Sequence, residues 1–161
     1  AARSAMPETP PPRPSGHSPQ ESPPATPAPE RIASCECGQL RLRVTVAPVH
    51  VHGCTCRRCQ RRSGSVMALS AWFPDTGIVI AGEVKVWHYA GTPDPDLTAG
   101  FCPVCGGGRF FRTGDYLRGC IGIPVGNFAD PDFPAPDHIH WWPDRPRWLA
   151  PPHGPALLEG N

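Results

Sequence analysis

A chain of 161 residues holds one domain with a modest core, and its 15 Lys and Arg against 14 Asp and Glu leave a formal charge of +1. That balance removes the electrostatic basis for a nucleic-acid or acidic-membrane partner, and no run of about 20 apolar residues is present to span a bilayer. Hydrophobic residues make up 39%, a share lowered by 24 prolines, ten of which fall before residue 31. The N-terminal Ala1-Ala2-Arg3-Ser4-Ala5-Met6 leads into prolines without the apolar stretch of a secretory signal. A cytoplasmic location is therefore expected, and the eight cysteines read as reduced thiols holding metal rather than as disulfides.

In chain order, residues 1–31 are mostly prolines, serines and alanines with no apolar periodicity. Such a segment cannot bury enough surface to offset its ordering entropy and is predicted to be a disordered tail. Pro12-Arg13-Pro14 could act as a recognition ligand, against the plainer reading of a solvated tail. The domain then runs over residues 32–161. Leu40, Leu42, Val44 and Val46 alternate with Arg41, Arg43 and Thr45, the period of a half-buried strand. Residues 66–73, 78–81, 84–89, 109–112 and 117–123 read as further short strands, separated by Asp-Thr-Gly, Ala-Gly-Glu and Gly-Thr-Pro-Asp-Pro turns. Residues 57–62 form the one brief helix early in the domain, and from Asn127 onward the chain reads as a loop whose apolar residues cover a sheet edge or a site. The predicted class is mainly β, with short antiparallel strands, no internal repeat, and a core small enough for metal crosslinks to add stability.

The cysteines fall as Cys35-x-Cys37, Cys54-x-Cys56-x-x-Cys59, Cys102-x-x-Cys105 and Cys120 alone. A thiolate pair one or two residues apart can bend its loop around a single ion, and zinc takes four such ligands at about 2.3 Å. Cys102-Pro103-Val104-Cys105-Gly106-Gly107 has the form of a zinc knuckle, which the available pair Cys35 and Cys37 would complete as a closed site. Cys54, Cys56 and Cys59 remain together. If the chain enters as a strand, Cys54 and Cys56 share a face, and Cys59 swings back from the first helical turn. Three ligands with an open fourth position describe a reactive zinc. His52 or Cys120 could fill that position instead; otherwise His52 is a partly exposed strand residue and Cys120 a small core hydrophobe.

These residues resemble the glutathione-dependent formaldehyde-activating enzymes and their relatives, including centromere protein V. The resemblance rests on Ser34-Cys35-Glu36-Cys37-Gly38, on Cys54-Thr55-Cys56-Arg57-Arg58-Cys59 with Ser63-Gly64, and on Phe101-Cys102-Pro103-Val104-Cys105-Gly106. Gly126-Asn127-Phe128-Ala129-Asp130-Pro131, His138-Ile139 and Trp148-Leu149 extend it over residues 32–158. The resemblance implies a β-rich, tent-like zinc fold with two zinc ions per chain. It implies a structural zinc on Cys35, Cys37, Cys102 and Cys105, and a catalytic zinc on Cys54, Cys56 and Cys59 at a glutathione site. The family's named reaction joins formaldehyde to glutathione as S-hydroxymethylglutathione, classed as a carbon–sulfur lyase for its reverse.

On that footing Arg57, Arg58, Arg61 and Arg62 are candidates to hold glutathione's carboxylates, their alternative being a solvated helix face. His138 is a candidate proton carrier or a structural histidine of the covering loop, and the His140-Trp141-Trp142 run reads as edge packing. Gln60 departs from the basic residue the family commonly carries there, and Gly107 from a small hydroxyl residue. The expected function is a zinc-dependent carbon–sulfur lyase acting on an adduct of glutathione or another thiol with an aldehyde. The rival is a non-catalytic, zinc-stabilised protein-binding module, which a second site saturated by a fourth protein ligand would favour. Nucleic-acid or cytoskeletal binding would need a basic tail, and residues 1–31 carry Arg3, Arg13 and Arg31 against Glu8, Glu21 and Glu30.

Overall fold

A computed structural model describes residues 23–89, 98–113 and 117–160. The predicted tail up to residue 22, with Pro12-Arg13-Pro14, and the turn at residues 91–95 lie outside the described residues. The strands are β1 Pro27–Ser34, β2 Arg41–Val46, β3 His50–Cys54, β4 Ala68–Pro74, β5 Ile78–Ala81, β6 Lys85–His88, β7 Thr98–Phe101, β8 Gly108–Arg112, β9 Cys120–Pro124, β10 His138–His140 and β11 Ala156–Leu157. The single α-helix, α1, is Arg57–Ser63. No helix among the described residues is long and apolar enough to cross a membrane.

Two sheets form. One has the order β1-β2-β5; the other runs β11-β10-β3-β4-β9-β8-β7-β6. The alternation in β2 decides how they meet: Leu42, Val44 and Val46 are buried while Arg41 and Arg43 face water. Those three residues and Ala33 pack against Val51, Ala71, Phe73, Phe110, Ile121 and Ile123 of the larger sheet. Each of the buried Val, Leu, Ile and Phe side chains contributes about 1.5–3 kcal/mol. The core therefore lies on one face of the larger sheet, and that leaves its other face for the site.

The mainly β expectation holds, with three differences. β1 begins at Pro27 and pairs with β2 from Pro27 opposite Val46 to Ser34 opposite Arg41, so ordered structure starts inside the stretch read as tail. A proline-containing edge strand has no alternation to reveal it, and Pro is tolerated there because one side of the strand needs no ladder donors. Secondly, the segment after Asn127 contributes β10 and β11, with Ile139 fully buried. Thirdly, β10 runs parallel to both β3 and β11, whereas the other paired strands are antiparallel.

Candidate metal centres and active site

The first centre is built by two knuckles facing each other. After β1, Gly38 turns at φ 75° and its N–H bonds the carbonyl of Cys35 at 2.9 Å. After β7, Gly106 turns at φ 73° and its N–H bonds the carbonyl of Cys102, also at 2.9 Å. The two glycines adopt the left-handed backbone that a side chain disfavours. The ligand sulfurs of Cys35, Cys37, Cys102 and Cys105 all lie within 4.8 Å of one another. Cys35 and Cys37 are 3.4 Å apart, and Cys37 and Cys102 3.7 Å. Sulfurs bound at 2.3 Å around a tetrahedral ion are separated by about 3.8 Å, so the set is sized for a thiophilic ion. The Leu40 N–H donates to Cys35 Sγ and the Gln39 amide to Cys102 Sγ, each at 3.2 Å. Burial pushes the Cys102 thiol up, but the Cys105 N–H, the Gln39 amide and the Val104 N–H outweigh it and hold Cys102 down at about 6. Cys37 behaves oppositely. The Gln39 N–H pulls it down, while contacts with Cys35, burial and the other two sulfurs push it up to about 12. Four sulfurs that share protons in this way offer a cation a ready thiolate cage.

The second centre joins a strand end to a helix start. Cys54 closes β3, Cys56 is the N-cap of α1, and Cys59 lies in its first turn. The Cys59 N–H donates to Cys56 Sγ at 3.4 Å, so one residue serves as both helix cap and ligand. The three sulfurs lie within 4.8 Å of one another, and no fourth His, Cys, Asp or Glu among the described residues joins the group. Hydrogen bonds from Cys54 and Cys59, then the N–H groups of Cys59 and Arg58, hold Cys56 down at about 2 against its burial. Contacts with the Cys56 and Cys59 sulfurs, and then burial, push Cys54 strongly up. One thiolate hydrogen-bonded by two thiols is the chemistry that a soft cation replaces, so three sulfurs with an open side fit a metal here too.

Around this centre the larger sheet presents Cys54, His52 and His50 from β3, Ala68, Ser70 and Trp72 from β4, and Phe111 from β8. The β3–β4 register confirms the shared face, with Cys54 opposite Ala68, His52 opposite Ser70 and His50 opposite Trp72. Helix α1 crosses that face: the Arg62 guanidinium lies 4.1 Å over the Phe111 ring and that of Arg58 4.5 Å over Tyr89. None of Arg57, Arg58, Arg61 and Arg62 forms an ion pair among the described residues. A cleft of about 710 Å³ opens beside the helix, bordered by Arg61, Arg62, Ser70, Gly107, Arg109 and Asn127. Its wall at Gly106–Gly108 follows the second knuckle, and its edge at Arg61 and Arg62 belongs to the helix that begins at the second centre. Arg109 is committed to the carbonyls of Ser34 and Gly107 and to Asn127 Oδ1, leaving the helix arginines as the cleft's available cations.

The expected ligands are thus brought together as two groups, and Cys120 joins neither. It is 1% exposed and packs with Trp72, Phe111 and Leu117, a small core residue. His52 also stays outside the three-sulfur group; its Nδ1 accepts from the Trp72 indole at 3.2 Å. Gln60 takes a structural part, its amide donating to the carbonyls of Thr55 at 2.6 Å and Asp144 at 3.1 Å. His138 pairs with His52 across β3 and β10, and His140 stands opposite Cys54. His140 is therefore not edge packing: it is buried, and its Nδ1 donates to the Gly160 carbonyl at 2.9 Å. Trp142 of the same run is packed, 8% exposed, beneath the Arg145 guanidinium at 4.4 Å.

Sequence reasoning missed Tyr89, His50 and His140. Burial pushes the Tyr89 phenol up, opposed by Arg62 and Arg58 and reinforced by Cys59, which places it beside the second centre. No local signal marks Tyr89. The histidines had one, since His50-x-His52 and His138-x-His140 each place two imidazoles on one strand face.

A β-sandwich carrying a four-cysteine and a three-cysteine cage, either of which could hold a metal ion, belongs to the class of thiolate metal-site proteins. Within that class, the family described as glutathione-dependent formaldehyde-activating enzyme matches residues 30–145, and the chain belongs to it. Among solved structures, a crystal structure of a Rhodobacter sphaeroides protein is similar at a TM-score of 0.50 and 18% identity, covering 62% of this chain and 91% of that one; that likeness speaks to the fold. No curated protein matches the chain.

Proposed function

We propose that the protein is a zinc-dependent carbon–sulfur lyase that makes and breaks the adduct of glutathione, or a related thiol, with formaldehyde. The observation that carries this reading is an open-sided three-sulfur centre beside a cleft whose helix arginines have no carboxylate partner among the described residues. We assign a structural zinc to Cys35, Cys37, Cys102 and Cys105, and a catalytic zinc to Cys54, Cys56 and Cys59. When bound at the three cysteines, zinc supplies a Lewis-acid position that favours thiolate and polarises a carbonyl oxygen.

The chain's own residues supply the rest. Arg61, which borders the cleft of about 710 Å³, together with Arg57 and Arg58 from the helix start outside its lining, holds the carboxylates of the thiol substrate by paired hydrogen bonds, the cleft being in the size range of small-molecule sites. Phe111 and Tyr89, each capped by an arginine, wall the centre on the far side. In the forward direction a sulfur–carbon bond forms, the carbonyl π pair moves to oxygen, and the thiol proton ends on the new hydroxyl. We assign the transfer of that proton to His140, opposite Cys54, with its Nδ1–H anchored on Gly160. His138, the sequence's candidate for this task, stands one pair further out opposite His52 and is the second candidate for it. All eight cysteines are free thiols, which suits a reducing compartment such as the cytoplasm.

The open fourth position also favours an enzyme over a saturated, purely structural module. The test is to measure zinc per chain and sulfur coordination by X-ray absorption, with and without glutathione, alongside turnover of glutathione with formaldehyde. Two zincs, three sulfurs and one exchangeable light ligand at the second, and turnover lost in Cys56→Ser are expected. Four protein ligands at the second zinc, unchanged by glutathione, overturn the reading.

A further inference from the structure

Four of the chain's seven histidines share the face of the larger sheet that also carries Cys54. His50 and His52 precede Cys54 at two-residue steps along β3, and His138 and His140 stand opposite His52 and Cys54 on β10. The register with β4 puts His50 opposite Trp72, His52 opposite Ser70 and Cys54 opposite Ala68. His52 therefore sits between an aromatic row and the row at the second centre. Trp72 donates its indole N–H to His52 Nδ1 at 3.2 Å, and with the ring planes 21° apart the bond meets the imidazole lone pair nearly in plane. An indole nitrogen donates and never accepts. His52 Nδ1 must then carry the lone pair, which puts the proton of the neutral ring on Nε2. His50 Nε2 stands 3.1 Å from the same Nδ1 as a second donor. His140 is set the other way, since its Nδ1 donates to the Gly160 carbonyl and its lone pair lies on Nε2. These two imidazoles, with centroids 5.3 Å apart and planes at 78°, are thus held in opposite tautomers, one a donor and one an acceptor. Because His52 Nδ1 is turned to the His50–Trp72 row, Nε2 lies on the ring edge toward the row of Cys54.

We propose that His52 is a further catalytic residue, whose Nε2–H donates a hydrogen bond to the aldehyde-derived oxygen of the adduct at the second centre. This role rests on the lyase reading and deepens it. As the sulfur–carbon bond forms, that oxygen gains the carbonyl π pair, and a donor already aimed at it stabilises the charge without reorganising. The thiol proton still passes to the oxygen through His140. His52 keeps its own proton throughout, so the balance of the reaction is unchanged. Trp72 is the positioning residue. Buried at 2% exposure, its indole locks His52 in the donating tautomer, as the hydrogen bond at one ring nitrogen decides what the other can do.

The experiment uses the full, zinc-loaded chain and measures kcat and KM with glutathione and formaldehyde, zinc per chain, and imidazole nitrogen-15 spectra. The wild-type spectrum should show His52 as the Nε2–H tautomer and His140 as Nδ1–H. Trp72→Phe, which lacks the indole donor, should let the Nδ1–H form of His52 appear. Glutamine carries its amide N–H to the place of Nε2, whereas asparagine reaches only that of Nδ1. His52→Asn should lower kcat by about a hundredfold, with KM for glutathione within about twofold of wild type, and His52→Gln should recover about tenfold of that loss. Both variants should keep two zincs, which shows that they are folded. Three results overturn the role: a wild-type His52 protonated on Nδ1; a kcat unchanged in His52→Asn; or Asn and Gln variants equally impaired. The lyase reading survives each of these, because the wild type still turns over. A wild-type chain that forms no adduct overturns both.

Discussion

At the scale of single residues, the two cages make opposite demands on the fold. Cys102 is fully buried and packs with Cys35 and Leu40, so a metal held there would tie the end of β1 to the end of β7. Binding free energy at a structural zinc is folding free energy. Cys102→Ser should abolish one zinc and the cooperative melt with it, checked by metal analysis and calorimetry. Cys56→Ser should release the other zinc and leave the melt nearly intact, because Cys54, Cys56 and Cys59 close only a short loop. A second residue-level limit is Gly77, where an added Cβ would run into both methyls of Val46. Overpacking of that kind costs about 1–3 kcal/mol, and an unfolding free energy lowered by that amount, read from denaturant titration, is expected for Gly77→Ala.

At the scale of elements, α1 has two jobs. Its outer side carries the arginines, and its Gln60 clamps the chain around Asp144 to the carbonyl of Thr55, with the Thr55 hydroxyl bonded to the Trp141 carbonyl. Gln60→Ala removes two hydrogen bonds and should cost about 1–2 kcal/mol, with faster amide exchange at residues 141–145 as the specific sign. Arg58→Ala with Arg61→Ala should raise KM for glutathione by about tenfold or more, since a charge-assisted bond contributes about 1.5–3 kcal/mol, while zinc content stays at the wild-type level. A KM unchanged in this double variant returns the arginines to the status of a solvated face. Elements with a strong local period, such as β2 with Leu42, Val44 and Val46 buried, were legible in the sequence. So was the helix, because the cysteine spacing itself required a turn. β7 and β10 were not: Thr98–Phe101 and His138–His140 are too short for a period, and pairing with neighbours makes them strands.

At the scale of the whole molecule, the histidine face sets an acid limit. Burial first, then His138 and His140, push His50 down to about 4, and burial, then His50, His140 and His138, push His52 down to about 3. The unfolded chain takes up those protons near 6.5. Between about 4 and 6.5 the unfolded state therefore binds more protons, and stability falls as the pH is lowered through that window. Thiolate cages lose metal in the same direction, so the comparison must be made between variants. Denaturant midpoints from pH 4 to 7 should show a shallower acid slope in His50→Gln than in wild type; parallel slopes would remove His50 from the account.

The sequence by itself pointed to two thiolate sites, because cysteines two or three residues apart are local objects, and the family resemblance implied which pairs share an ion; the structure brings those same sulfurs together. The sequence likewise determined a mainly β class and the placing of three cysteines across a strand end and a helix cap. Only the tertiary structure decided which histidine meets Cys54, where the helix arginines reach, and that four imidazoles share one face. The physical reason is separation along the chain. His138 and His140 come beside His52 and Cys54 through a parallel pairing of strands whose hydrogen bonds join residues such as Thr55 and His140, and nothing in either segment alone specifies that partner.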